Sequence, residues 1–384
     1  MAEYKRLDEV CAINMGQSPD SKSYNENGDG LPFFQGNADF GEMYPSVRMW
    51  CNAPTKVVDP GALLISVRAP IGALNFAAEK SCIGRGLAGI TPKETVDIKY
   101  IYYCLKGKHA ELNAKGTGST FKAIAKNALG ETAVRIIPLS EQKTVVESID
   151  KVSSIIATRR QQLSSLDALV KARFVEMFGD PVTNPKKWGT VPLTELGELN
   201  RGISKHRPRN APELLGGNYP LIQTGEIAAA DLYVRGYSAT YSEIGFKQSK
   251  MWPKGTLCIT IAANIAKTAI LDIDACFPDS IVGFITGERT NVLFIHFWFS
   301  FFQKLLEEQA PESAQKNISL QTLKELDVII PPLGLQTRFA DFVQQADKSK
   351  LLEQKYIYVI RHSLVQYKFG GNRYDTKSNE FQAE

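Results

Sequence analysis

PGALLISVRAPIG at residues 60–72 and KGTLCITIAANIA at residues 254–266 are two copies of one pattern, and reading them together decides the fold. Gly61 aligns with Gly255, Ile65 with Ile259 and Ile71 with Ile265, all at an offset of 194 residues. The same offset carries Cys82 onto Cys276, Lys122 onto Lys316, Ile124 onto Ile318 and Leu129 onto Leu323. It continues through VRIIPLSEQ (134–142) onto VIIPPLGLQ (328–336). Nearer the start of each copy the offset is slightly smaller, with Leu7 on Leu193 and Gly16 on Gly202, as small insertions in the first loops would produce. A constant offset held over about eighty residues predicts a tandem duplication.

Each copy has the same internal order. A mostly β-like portion comes first, with FFQGN (33–37), LLISV (63–67) and LAGI (87–90) in one half and PLIQTG (220–225), LCITIA (257–262) and VGFIT (282–286) in the other. These β-branched and aromatic runs are bounded by Gly, Pro and Asn, which suits strands. An aromatic segment follows (100–105 and 294–302) that reads as a helix buried on one face, then a strand ending in proline (IIP at 136–138, IIPP at 329–332).

A long helical pattern closes each copy. From Ser140 to Phe178 there is no Pro or Gly, and apolar residues recur at Val145, Ile149, Val152, Ile156, Leu163, Leu166, Val170 and Phe174. Alternating steps of three and four make this a coiled-coil seam, interrupted once by Arg159. Gly179, Pro181 and Pro185 stop it. The second copy runs from about Leu335 to Phe369, with Phe339, Val343, Ala346, Ile357, Ile360, Leu364 and Tyr367 on the seam and a polar middle. A lone helix of this length exposes its apolar stripe, so the two are expected to pair antiparallel. The expected organisation is α+β. Residues 1–138 form a first globular domain, 139–184 a central helix and junction, 185–332 a second globular domain, 333–371 a closing helix, and 372–384 a disordered tail.

Composition is that of a globular chain: 384 residues, 43% hydrophobic and 22% charged. The most apolar run, 292–302, is too short for a membrane span and contains His296 and Ser300. MAEYKRLDEV at the start has no apolar core of a secretory signal, so a cytoplasmic protein is expected. The six cysteines and four histidines are scattered without metal-ligand spacing, so reduced buried thiols and no metal site are expected. Phosphate-binding, dinucleotide-binding and nucleophile-elbow motifs are missing, as is an Asn-Pro-Pro-aromatic run; Asp279 and Glu288 read as surface carboxylates. A non-catalytic binding protein is the expectation.

A net charge of +4 is too small to argue for nucleic acid, but its local placement does. RGISKHRPRN (201–210) carries Arg201, Lys205, Arg207 and Arg209 with no acid, which suits phosphate contacts from a loop. KGTGSTFKAIAKN (115–127) offers Lys115, Thr117, Ser119 and Lys122 among glycines that allow close backbone approach. Its counterpart SAQKNIS (313–319) offers Gln315, Lys316 and Asn317, whose amides suit adenine edges. Arg68 and Arg85 follow strand-like runs; the position of Arg68 becomes Ala262 in the second half, followed by Asn264 and Lys267. Matched frameworks with different candidate contacts would read two different half-sites.

With these features together, the chain resembles the specificity subunits of type I restriction–modification systems. The junction RFVEMFGDPVTNPKKWGTVPLTELGEL (173–199), PLIQTGEI (220–227) and IIPPLGLQ (329–336) carry the resemblance, which extends over residues 3–370. It implies two target-recognition domains joined by an antiparallel helix pair with pseudo-two-fold symmetry, each reading one part of a bipartite site in double-stranded DNA. It also implies two modification subunits methylating adenine N6 from S-adenosylmethionine, and two restriction subunits using ATP and Mg; no cofactor is expected in this chain and no membrane partner. Helices of roughly 57 Å, set against ~3.4 Å per base pair, would act as a ruler for the gap, with half-site centres at most about 17 and nearer ~10 base pairs apart. A coiled-coil interaction adaptor without DNA recognition is the competing reading of another class, and the two differ in whether salt-sensitive DNA binding exists.

Overall fold

The computed structural model describes residues 3–118, 122–206, 208–262, 265–309 and 317–368. The chain divides into two compact units, residues 1–155 and 156–384, with the division falling inside the first long helix.

The first unit is built on an antiparallel sheet in the order Cys11–Met15, Leu87–Pro92, Leu63–Ser66, Leu74–Phe76. Leu63, Leu64 and Ile65 are completely buried, so both faces of that strand are covered, which explains an unbroken apolar run rather than an alternating one. A second sheet runs Tyr24–Asn25, Trp50–Cys51, Leu31–Phe34, Ser81–Ile83, Val57–Val58, and its Phe33–Cys82 pairing is parallel. Glu3–Arg6 pairs with Ala133–Ile136, bringing the start of the unit to the strand that precedes its long helix.

The second unit repeats this plan. Gly197–Arg201, Ile281–Thr286, Leu257–Thr260 and Thr268–Leu271 form the equivalent sheet, extended by Tyr233–Val234. Leu215–Leu221, Ala275–Cys276 and Met251–Trp252 repeat the second sheet, parallel pairing included, and Thr190–Pro192 pairs with Asp327–Ile329. The register is kept as well: Ile65 lies opposite Ala88, and Ile259 opposite Val282. The aromatic segments are helices, Ile98–Lys106 and Val292–Gln309, and the latter places Phe294, Trp298 and Phe299 in the core of its unit.

Two stretches expected as strand are shorter than read. The strand through Pro220 ends at Leu221, and a helix begins at Thr224, because Glu226 accepts the backbone N–H of Gln223 at 3.1 Å and caps the first turn. In the first unit the strand ends at Phe34, and Asp39 does the equivalent work on Gln35 and Gly36 at 2.8 and 3.3 Å.

The long helices span Leu139–Phe178 and Leu333–Lys368, or about 60 and 54 Å at ~1.5 Å per residue. Each is tied to its own unit by a completely buried glutamine. Gln142 donates to the carbonyls of Ile137 (2.8 Å) and Thr95 (3.2 Å) and accepts from the Asp97 N–H (2.9 Å). Gln336 donates to Pro331 (2.9 Å) and Arg289 (3.4 Å) and accepts from the Asn291 N–H and the Thr290 hydroxyl (both 3.0 Å). Every backbone partner is displaced by 194 residues between the copies.

The seam residues Val170, Phe339 and Val343 are buried, while Ile149, Val152, Ile156, Leu163, Leu166, Ile357 and Ile360 are half-buried; the Leu364 side chain lies outside the described residues, as do residues 369–384. Within the second unit, Phe174 meets Phe339 edge to face at 5.3 Å. Lys350 pairs with Asp167, and Arg159 pairs with Glu353 at 2.7 Å. Numbers fall along one segment as they rise along the other, so these segments run antiparallel. The polar residues that break the seam thus find one another: Arg159 and Glu353 form an ion pair, and buried Lys350 reaches Asp231 at 3.0 Å besides Asp167. These carboxylates outweigh the effect of burial and hold the Lys350 ammonium above its usual range.

The junction after the first helix is a cap. Gly179 adopts φ +79°, and a Cβ there would stand 2.9 Å from Pro185 Cγ. Trp188 donates its indole N–H to the Phe178 carbonyl (2.9 Å), and Lys186 donates to the carbonyls of Glu176 (2.6 Å) and Met177 (2.9 Å), satisfying the last turn. Five of the six cysteines are buried, Cys104 is partly so, and all are free thiols.

Candidate nucleic-acid interface

In the first unit three segments converge beside the strand Leu63–Ser66. Arg68 bridges Ala123 in antiparallel fashion, Ile124 N–H donates to Val67 O (2.9 Å), and Ala69 N–H donates to Lys122 O (3.1 Å). Thr117 and Ala123 exchange two backbone hydrogen bonds of 2.9 Å; Ser119, between them in sequence, lies outside the described residues. The turn 84–87 closes with Leu87 N–H on Gly84 O (3.0 Å), and Gly86 O accepts from Val67 (2.9 Å). Gly86 must be glycine, because a Cβ would lie 2.4 Å from Gln35 O. The Arg85 N–H reaches Ser18 Oγ at 3.3 Å.

This brings Arg68, Arg85, Thr117 and Lys122 onto one connected backbone framework, all four exposed. The three cations make no ion pair among the described residues, so their charge is available to an anion. Lys115 is different: half-buried, it pairs with Glu111 at 3.0 Å and donates to Thr132 Oγ1 at 3.3 Å. Burial would raise the Glu111 carboxyl, but hydrogen bonds from Lys108 and Lys115 outweigh it and hold the group below its ordinary range.

The second unit has the same framework with other side chains. Ala262 bridges Asn317, Ile318 N–H donates to Ile261 O (3.0 Å), and the turn 278–281 closes with Ile281 N–H on Pro278 O (3.0 Å). Ser280 O accepts from Ile261 (3.0 Å), as Gly86 does from Val67. Each bond is the first unit's bond moved by 194 residues. Ala262 stands for Arg68, Asp279 for Arg85 and Asn317 for Ala123.

The loop read as free of acids is not so in three dimensions. Asp279 arrives from the adjacent turn: its carboxylate pairs with Arg209, and its backbone carbonyl accepts from Arg201 Nε. Sequence reasoning missed this because the partner is some seventy residues away, although the offset that puts Asp279 at the place of Arg85 was readable. Lys205 is exposed, its backbone N–H held by Gln248 Oε1 at 2.7 Å, and His206 faces Glu213 at 3.9 Å. Exposed Lys267 donates its backbone N–H to Thr260 Oγ1 at 3.1 Å. Arg207, Asn264, Gln315 and Lys316 lie outside the described residues. Among the described residues there is no group of three or more His, Cys, Asp or Glu arranged to hold a metal, and no helix long and apolar enough to cross a membrane.

One framework built twice, with unlike charges at matched turns, defines a tandem recognition protein. The chain belongs to the family described as the type I restriction modification DNA specificity domain, which it matches over residues 2–167 and again over 185–361. It is 43% identical over 160 residues to a Methanocaldococcus jannaschii protein described as a type I restriction enzyme MjaX specificity subunit. That stretch covers 41% of this chain and 38% of the relative. It is 21% identical to the Escherichia coli type I restriction enzyme EcoBI specificity subunit over 88% of this chain and 78% of that one. The crystal structure of the type I restriction–modification S subunit from M. genitalium superposes with a TM-score of 0.58, covering 95% of both chains at 15% identity, a likeness of fold.

Proposed function

We propose that this chain is the DNA-specificity subunit of a type I restriction–modification complex, and that each unit reads one half of a bipartite site. The observation that carries this reading is the matched framework with opposed chemistry: Arg68–Ala123 against Ala262–Asn317, and Arg85 against Asp279. A matched set of backbone hydrogen bonds presents side chains at equivalent positions in each unit, and different side chains give the two different targets. The two long helices pair antiparallel as a coiled coil, extending the contacts from Arg159–Glu353 to Phe174–Phe339, and hold the gap between half-sites fixed. The chain itself is non-catalytic. Methyl transfer to adenine with S-adenosylmethionine, and ATP- and Mg-dependent cleavage, belong to modification and restriction subunits, two of each. Leu169, Leu352, Tyr356 and Val359 stand exposed on the long helices, apolar surface that suits docking of protein partners.

The test is binding of the complex with its modification subunit to duplex DNA across a salt series. Neutralisation of several phosphates predicts affinity falling steeply and linearly on logarithmic axes. A complex that assembles yet binds no DNA at any salt concentration would instead make the chain a protein adaptor.

A further inference from the structure

We propose that the second position of the matched turns, Arg85 in the first unit and Asp279 in the second, determines which bases each unit reads. This rests on the DNA-reading function proposed above and names the residues that make its two halves differ. The turns are held alike: Leu87 N–H to Gly84 O and Ile281 N–H to Pro278 O, both 3.0 Å, and Gly86 O and Ser280 O each accepting from the strand-end residue, Val67 or Ile261. The hydrogen bonds that hold the two turns are therefore shared, and the side chain at the second position is what changes most.

It changes by a full reversal of charge. Arg85 is exposed, makes no ion pair among the described residues, and carries a fork of donors that fits guanine O6 and N7 in a major groove. Asp279 is mostly covered, with its side chain 24% exposed. Its carboxylate pairs with Arg209 and its carbonyl with Arg201. The acid thus draws the Arg209 guanidinium to the turn that in the first unit carries its own arginine, while Arg201 reaches the same turn through the Asp279 backbone carbonyl. A guanidinium with one terminal nitrogen engaged by a carboxylate is restricted in where its remaining donors can point, which sharpens what it can recognise. Asp279 is a positioning residue for Arg209, and Arg85 is its direct-acting counterpart.

The test uses the whole chain with its modification subunit in cells lacking other adenine methylation. Genomes from cells carrying the unaltered chain, Asp279→Asn, Arg209→Ala or Arg85→Ala are sequenced for methyl-adenine. Asp279→Asn and Arg209→Ala are expected to relax the same one or two base pairs of one half-site, leaving the other half-site and the gap unchanged. Arg85→Ala is expected to relax only the other half. The retained half-site and gap report in the same reads that each variant folds and assembles. Unchanged motifs, a lower yield with the motif intact, or loss of both halves together would each overturn the proposal. An unaltered chain that yields no two-part motif refutes the functional reading itself, and does so before any substitution is considered.

Discussion

Gln142 and Gln336 bury a full amide at the foot of each long helix, and an amide is tolerable there because both its ends are satisfied. Replacing either with leucine leaves two carbonyls and an N–H without that partner, and at Gln336 the Thr290 hydroxyl as well. Gln142→Leu should destabilise the first unit, and Gln336→Leu the second, by about 1–3 kcal/mol each, read as loss of denaturation midpoint. His296 is the titrating counterpart. Burial in the second unit pushes its pKa down to about 4, with Thr268 Oγ1 3.0 Å from Nδ1. Because the folded value lies below the unfolded one, stability is complete above the ordinary value of about 6.5 and falls as pH drops from there towards 4. The loss should approach about 3 kcal/mol, and His296→Gln should flatten that part of the pH–stability curve while leaving the remaining acid sensitivity. An equally steep curve in the variant would show that His296 is not the source.

At the scale of elements, the long helices carry the clearest message from sequence to structure. The heptad pattern without Gly or Pro places the first within a residue of its observed limits, Leu139–Phe178, because local periodicity and stop signals are short-range information. The polar middle of the second helix was opaque for the opposite reason. Lys350 and Glu353 make sense only beside Asp167, Asp231 and Arg159, residues more than a hundred positions away. The acid beside the 201–210 loop is invisible to local reading on the same ground, since Asp279 comes from another strand end some seventy residues away. The β-like run at 220–225 ends as strand at Leu221, because the N-terminal cap from Glu226 opens a helix that local composition does not announce. Lys350→Met should cost about 1–3 kcal/mol, at the lower end because Asp167 and Asp231 are half-exposed and water can take over their charge. For the helices as a ruler, adding one heptad to both should lengthen the gap in the recognised sequence and leave both half-sites unchanged. A changed half-site would separate the helices from that role.

At the scale of the whole molecule, duplication explains how one chain presents two related but unequal surfaces. The framework bonds recur at a constant offset, whereas the charges at the matched turns do not: Arg68 and Arg85 in the first unit, against Ala262 and Asp279, with Arg201 and Arg209 held to Asp279, in the second. Alanine at Arg68 or Lys122 should each lower the salt slope of DNA binding by about one, since each would release one phosphate contact. The central claim is that this chain gives a DNA-modifying complex its bipartite specificity. The most direct measurement is single-molecule methylation sequencing of genomes from cells expressing the modification subunit with and without this chain. Methyl-adenine at two short sequences separated by one fixed gap, present only when the chain is present, is the predicted result. Identical methylation in the two genomes would contradict it.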